Sequence, residues 1–403
     1  MNQPLEGYRV LDHAPWAQAL IGQMLGDLGA EVIKIEDTIS GDPYRALAKL
    51  LEAQQGWVGR NPYYEHVNRN KKSITINLKK EKGREIVYKL VEKSDVYIQN
   101  FSVGVADKLG MDYATLSRYN PRLIYASSTG WGLKGPDSKN AAYDMMALAR
   151  SGIMTIIGDP GTPPMNIDAV MADHIGATIT AFAVSVALLM RERTGKGRQV
   201  DTSLLGSMVH MLGNNVDFRL ITGKEVQASF RNRAANPLWN LYKCKDEKWI
   251  ALGLLQADRY WPTLCHAMGL EQYEKDPRFE NIVVRAKNAA EMVSVLDKTF
   301  ATKTRAEWID ILRKGAGLIL EPVNSFSDVV KDPQVWANDY IIEYEHPNYG
   351  KVPMVGFPMH FSDATSSVRL PPPEHGQHTE EVLQGMLGYD WEYMTKLKKE
   401  EVI

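Results

Sequence analysis

The first 130 residues alternate between two hydrophobic periods, and this alternation restricts the fold more than any other feature of the chain. Residues 8–12 read as a strand, and 17–28 place Leu20, Ile21, Met24, Leu25 and Leu28 at helical spacing. Gly29 closes that helix, and residues 31–36 alternate as a second strand. The pattern repeats: 72–78 strand, 82–94 helix, 96–100 strand, 107–119 helical turns, 123–128 strand. Strands separated by helices predict a mainly parallel sheet and an α/β, Rossmann-like large domain. Ligands on such sheets sit at the carboxyl ends of strands, which marks His13, Glu36, Asn100 and Ser127-Ser128-Thr129 as candidate positions. The first strand–helix loop reads His13-Ala14-Pro15-Trp16-Ala17-Gln18, without the glycines that let a backbone approach a dinucleotide pyrophosphate.

A chain of 403 residues exceeds what one core usually serves, so two domains are expected. The large domain takes 1–222, a polar, basic linker 223–237, and a smaller α+β domain 238–318. In the smaller domain a strand pair over 241–255 turns at Asp246-Glu247, and 259–314 is mostly helical. Residues 319–403 form a loop-rich linker and a return to the large domain, with a helix at 379–387. The formal charge of −2, with both signs interspersed, argues against a nucleic-acid surface. The start Met1-Asn2-Gln3-Pro4-Leu5-Glu6 has neither a basic end nor an apolar stretch, so no secretory signal is expected. Cys244 and Cys265 have no metal-site spacing and fit a reducing compartment. The longest apolar run, 175–190, is short for a bilayer, so a cytoplasmic protein without a membrane segment is expected.

That run is introduced by Val170-Met171-Ala172-Asp173-His174-Ile175-Gly176. A helix apolar on all sides belongs in the middle of a domain. A carboxylate at its start has two readings: an N-cap accepting backbone N–H bonds, or a nucleophile at the positive end of the helix dipole. No H-E-x-x-H or G-x-S-x-G pattern is present, and Thr194-Gly195-Lys196-Gly197 reads as a turn. His375-Gly376-Gln377-His378 reads as the approach to a helix, and Lys79 and Lys108 as surface lysines unless a cleft lies beside them.

Taken in order, several runs resemble the class III CoA-transferases over essentially the whole chain. They include Pro4-Leu5-Glu6-Gly7-Tyr8-Arg9-Val10-Leu11-Asp12, Leu28-Gly29-Ala30-Glu31-Val32-Ile33-Lys34-Ile35-Glu36 and Asn68-Arg69-Asn70-Lys71-Lys72-Ser73. Asn120-Pro121-Arg122-Leu123-Ile124-Tyr125-Ala126-Ser127, Ala172-Asp173 and His375-Gly376-Gln377-His378-Thr379-Glu380-Glu381 continue the series. The resemblance implies an interlocked dimer, either a homodimer or a heteromer with a related subunit. It implies Asp173 as the nucleophile that accepts an acyl group from acyl-CoA, with coenzyme A as substrate and no metal. By matching positions, CoA would lie along Trp16, Ala17, Thr38, Ile76, Asn77, Leu78, Lys79, Asn100, Phe101, Ser102, Lys108, Ala141, Ala142, Tyr143 and Asp144.

The chain departs from the family pattern at places. Ala17-Gln18-Ala19 replaces Ala-Gly-Pro, Ser102-Val103-Gly104 replaces Arg-Pro-Gly, and Thr38 stands where a basic residue can occur. The Gly-rich loop of some members is replaced by Ala234-Ala235-Asn236-Pro237-Leu238-Trp239. Trp16 and Trp239 suggest a bulky or aromatic acceptor acid, such as an aryl-substituted dicarboxylate of the benzylsuccinate kind, with succinyl-CoA as donor. Two alternatives stand beside this reading. One is an α-methylacyl-CoA racemase, whose catalytic histidine position holds Tyr143; the other is a non-catalytic subunit of a heteromer.

Overall fold

The computed structural model describes residues 3–57, 59–167 and 170–403. Six strands form one parallel sheet: β1 (Arg9–His13), β2 (Glu31–Glu36), β3 (Lys71–Thr75), β4 (Val96–Gln99), β5 (Ile124–Thr129) and β6 (Arg198–Ser203). Their order is β3-β2-β1-β4-β5-β6. The chain therefore builds outward from β1 in one direction, then returns and builds outward in the other. The reversal falls between β1 and β4, where His13 pairs with Gln99, and opens a crevice at the carboxyl ends.

Helices cover both faces, as the expected α/β class requires. On one face Leu20, Ile21 and Leu25 meet Ala177, Ala181 and Val184 of the long helix Met171–Thr194. On the other, Ile86, Leu90 and Leu116 share a core with Val382, Leu383 and Leu397 from the C-terminal helices Thr379–Leu387 and Trp391–Lys399. An antiparallel hairpin later in the chain pairs the strand Ile341–His346 with the strand Gly350–Val355.

The long helix departs from expectation in two respects. It has 24 residues and mean hydropathy 1.5, enough by length and composition to cross a bilayer. It is also not buried all round. Ala172, Gly176, Ala177, Thr180, Ala181, Val184, Ala187 and Leu188 face the core, whereas Phe182, Leu189 and Met190 are exposed. Small residues on the inner side let the helix approach the sheet, so the bulkier ones lie outside. With one side packed into the sheet core, it serves as a layer of an α/β fold.

The chain divides into two compact units. One takes residues up to Met154, Asn166–Lys224 and Trp336–Ile403, and contains the parallel sheet; the other takes Thr155–Met165 and Glu225–Val335. The second unit has a three-stranded antiparallel sheet of Trp239–Lys243, Trp249–Gly253 and Leu320–Pro322. Tyr242 stacks on Phe300 at 4.9 Å in its core. Burial pushes the Cys244 thiol up to about 11 and that of Cys265 to about 12, so both are inert packing residues.

Candidate active site

The site is supported by charged groups buried under the loop after β1. Lys71 Nζ contacts Asp12 Oδ2 at 2.6 Å, and also donates to the Ala19 carbonyl at 2.6 Å and to Asn68 Oδ1 at 3.1 Å. Both members of the pair are fully buried. Asp12 Oδ1 accepts the Ala14 N–H at 3.0 Å, so this pair fixes both ends of the His13–Ala19 loop. Gly22 is needed here, because a Cβ would stand 2.4 Å from Asp12 Oδ2. Nearby, Lys34 pairs with Asp42 at 2.7 Å, Arg45 with Glu36 at 2.7 Å and Arg69 with Asp27 at 2.6 Å. Burial opposes the ionisation of Glu36, but hydrogen bonds from Arg45 and the charge of Lys34 hold it down at about 2.

Asp173 lies in the first turn of the helix Met171–Thr194 and is not its cap. The cap position is Val170, and the Asp173 backbone N–H donates to Asp144 Oδ1 at 3.1 Å. Thus Asp144 supplies the capping carboxylate and leaves that of Asp173 free of this task. Val170 enters the helix in the left-handed region (φ 51°), as does Trp16 (φ 58°), two residues before Gln18. A β-branched and a bulky residue held there represent strain of a kind found at functional sites, about 1–3 kcal/mol each.

Gln18 is the residue that the sequence reading set aside as a departure, and it is the side-chain partner of the candidate nucleophile. Its Nε2 donates to the Asp173 carbonyl at 2.8 Å and to Asp173 Oδ1 at 3.3 Å. Ser128 Oγ donates to Gln18 Oε1 at 2.8 Å, which orients the amide with nitrogen toward Asp173. No local pattern in the sequence marks this pairing, since Gln18 and Ser128 lie 110 positions apart. Burial, then the charge of Asp144, raises the Asp173 carboxyl to about 6, while the Gln18 hydrogen bond lowers it. Among the described residues no lysine or arginine pairs with it. We expect Gln18→Ala to lower kcat by about a hundred- to a thousandfold, as the loss of one positioned donor does, with a smaller change in KM. Steady-state kinetics checks this.

Aromatic residues and neutral imidazoles surround these groups. Trp16 meets Tyr44 edge-on at 5.3 Å, and Tyr44 lies 6.2 Å from Tyr63. The His174 and His66 rings are 5.4 Å apart. Burial pushes His66 down to about 4 and also lowers His174. His13 contacts Tyr97 Oη at 2.9 Å and is likewise held at about 4, chiefly by burial.

The positions assigned to CoA by resemblance separate into two groups. Thr38, Lys79, Asn100, Phe101, Ser102 and Lys108 follow the carboxyl ends of β2, β3 and β4, flanking the crevice. Lys79 and Lys108 follow strands three places apart in the sheet, about 14 Å at ordinary strand spacing. Phe101 lies edge-on to His13 at 4.8 Å, and Asn100 Nδ2 is 3.5 Å from the Pro15 carbonyl. A cavity of about 300 Å³ next to them is lined by Gln99, Phe101, Ser102 and Thr129. The side chains of Ala17, Ile76 and Leu78 are instead in the core, and Asn77 Nδ2 donates to the Glu401 carbonyl at 3.1 Å. Only the backbone of the first three is left for a ligand. Ala141 and Tyr143 are exposed, and Ala142 packs where Gly130 lacks a side chain.

Comparison with known proteins decides the family: the profile described as CoA-transferase family III matches residues 5–379. The chain belongs to CoA-transferase family III. It is 33% identical to (R)-2-hydroxy-4-methylpentanoate CoA-transferase of Clostridioides difficile over 401 residues, covering 99% of both chains. It is 34% identical to succinyl-CoA:glutarate CoA-transferase of Mus musculus, covering 98% of this chain and 89% of that one. The crystal structure of a CAIB/BAIF family protein from Brucella suis superposes with TM-score 0.86 at 31% identity, over 96% of this chain and 100% of the other. The family III relatives are named as CoA-transferases acting with different acids, so the class of chemistry recurs while the acid varies.

Proposed function

We propose that this chain transfers CoA from an acyl-CoA donor to a carboxylic acid, with Asp173 as the covalent carrier. The observation that carries this reading is the half-buried Asp173 carboxylate, unpaired by any described cation and relieved of helix capping by Asp144. In the proposed sequence, an Asp173 oxygen attacks the thioester carbonyl, the C–S bond breaks, and CoA leaves as thiolate. The product is a mixed anhydride. The thiolate then attacks the aspartyl carbonyl, the acyl group leaves as its carboxylate, and an aspartyl–CoA thioester remains. The acceptor carboxylate attacks that thioester, and the released thiolate attacks the acceptor carbonyl of the second anhydride. Acyl-CoA departs and Asp173 is regenerated.

Each step exchanges a carboxylate for a thiolate, and none moves a proton. The nearest imidazoles along the chain and in the ring pair, His174 and His66, are both kept from protonating by burial, which suits this better than a poised base would. Negative charge develops on the aspartyl carbonyl oxygen whenever thiolate or carboxylate adds to it, and Gln18 Nε2 is the donor placed to meet it.

CoA is proposed to run across the β1–β4 crevice, with Lys79 and Lys108 toward its phosphates. Phe182, Leu189 and Met190 on the helix Met171–Thr194 and Leu220 and Ile221 on the helix Gly213–Thr222 are exposed in a single protomer. These faces support an obligate second copy, interlocked as the family resemblance implies. A racemase would need a base where Tyr143 stands, and a phenol is less suited to that role than an imidazole. Incubation with succinyl-CoA and a panel of acids, including aryl dicarboxylates such as benzylsuccinate, tests the reading. New CoA thioesters are expected. Solvent deuterium entering the α-carbon of a branched acyl-CoA, without transfer, would contradict it.

A further inference from the structure

A second cavity, about 320 Å³, lies between the start of the helix Pro62–Asn68 and the strand Gly350–Val355. Its walls are apolar: Trp57, Pro62, Pro353, Met354 and Val355. Two arginines border it, and both are committed. Arg60 Nε donates to the two carboxylate oxygens of Glu65 at 2.9 and 2.7 Å. The Arg69 guanidinium is held by Asp27 at 2.6 Å and donates to the Val355 carbonyl. A second carboxylate entering here would lose its water shell and meet no free cation, whereas an apolar group would lose nothing. The remaining polar lining group, His66, is held neutral by burial, at about 4.

His66, in the cavity wall, places its ring 5.4 Å from that of His174, the residue after Asp173. Tyr63, one helical turn before His66, belongs to the aromatic series that continues through Tyr44 to Trp16. One side of this short helix is thus turned toward the site, and its first turn borders the cavity. The volume falls at the small end of the range for ligand sites.

We propose that this cavity receives the end of the acid substrate remote from its reacting carboxylate, and that it selects a branched-alkyl or aryl end over a second carboxylate. The inference rests on the transferase reading above and specifies its substrate class.

The test uses the wild-type protein with one acyl-CoA donor and four acids: acetate, glutarate, 4-methylpentanoate and 3-phenylpropanoate. The apolar acids are expected to exceed acetate and glutarate in kcat/KM by about tenfold or more, since one methylene in an apolar pocket is worth roughly 10–200-fold. Met354→Trp should fill the cavity and lower the ratio of kcat/KM for 3-phenylpropanoate to that for acetate by about tenfold. Should that variant not fold, Trp57→Ala removes a half-exposed wall and should lower the same ratio. Preference for glutarate, transfer to all four acids alike, or equal loss for both acids in the variants would overturn the pocket assignment and leave the transferase reading standing. Failure of CoA to reach any of these acids or the wider panel would overturn both.

Discussion

Asp173→Asn should reduce CoA transfer at least about a thousandfold, on the scale of removing a covalent nucleophile, while the protein stays folded. The structure separates catalysis from stability at this position because Asp144 caps the helix. The variant should be as stable as the parent or more so at neutral pH, since it removes a half-buried negative charge beside Asp144. The sign follows from the raised carboxyl. Its folded value is about 6 against an ordinary 3.8, so its favourable contribution is complete below 3.8 and is lost as pH rises through 6. The stability advantage of Asp173→Asn should therefore grow between pH 4 and 7 and then level off, by at most about 3 kcal/mol. Thermal unfolding at several pH values measures it. Transfer by the wild type should fall on the acid side as Asp173 is protonated, with a limb near 6.

Lys71→Ala should have the largest effect on folding. It leaves Asp12 charged and buried with no cation in contact, which costs about 3–5 kcal/mol where a buried pair is broken on one side. It also removes the donor to the Ala19 carbonyl and loosens the loop that carries Gln18, so activity should fall along with stability. Combining Lys71→Met with Asp12→Leu should recover part of the lost stability, because the double change leaves no orphaned charge. Urea unfolding of the single and double variants checks both statements.

The sequence was informative wherever one local period decided the outcome. The strands beginning at Glu31, Val96 and Ile124, and the helix Thr379–Leu387, lie where alternation or helical spacing placed them. The motif Asn68-Arg69-Asn70-Lys71 could be matched to a family, but its physical purpose could not be read. Arg69 and Lys71 are partners of Asp27 and Asp12, more than forty residues earlier in the chain. Long-range ion pairs leave no local pattern. The same applies to Gln18 and Asp173, which lie 155 positions apart. A polar residue after the first strand looked like a defect until the fold brought the two together. The long helix misled for a different reason. Its composition is apolar throughout, but the small residues lie on one face and the large ones on the other, and overall hydropathy does not distinguish packing from exposure. The hairpin Ile341–His346 with Gly350–Val355 was missed because Pro353 and the charged residues Glu343, Glu345 and Lys351 weaken the strand signal.

The most direct measurement is a search for the covalent intermediate. Enzyme mixed with an acyl-CoA in the absence of acceptor, then treated with hydroxylamine or borohydride, should yield a modified peptide bounded by Arg150 and Arg191, with the change on Asp173. The aspartyl–CoA thioester is electrophilic enough for either reagent, whereas a free carboxylate is not. Modification at Asp173 in wild type and its absence in Asp173→Asn is the predicted result. An unmodified Asp173 in protein that is turning over acyl-CoA, or an adduct on another side chain, would contradict the assignment of Asp173 as carrier.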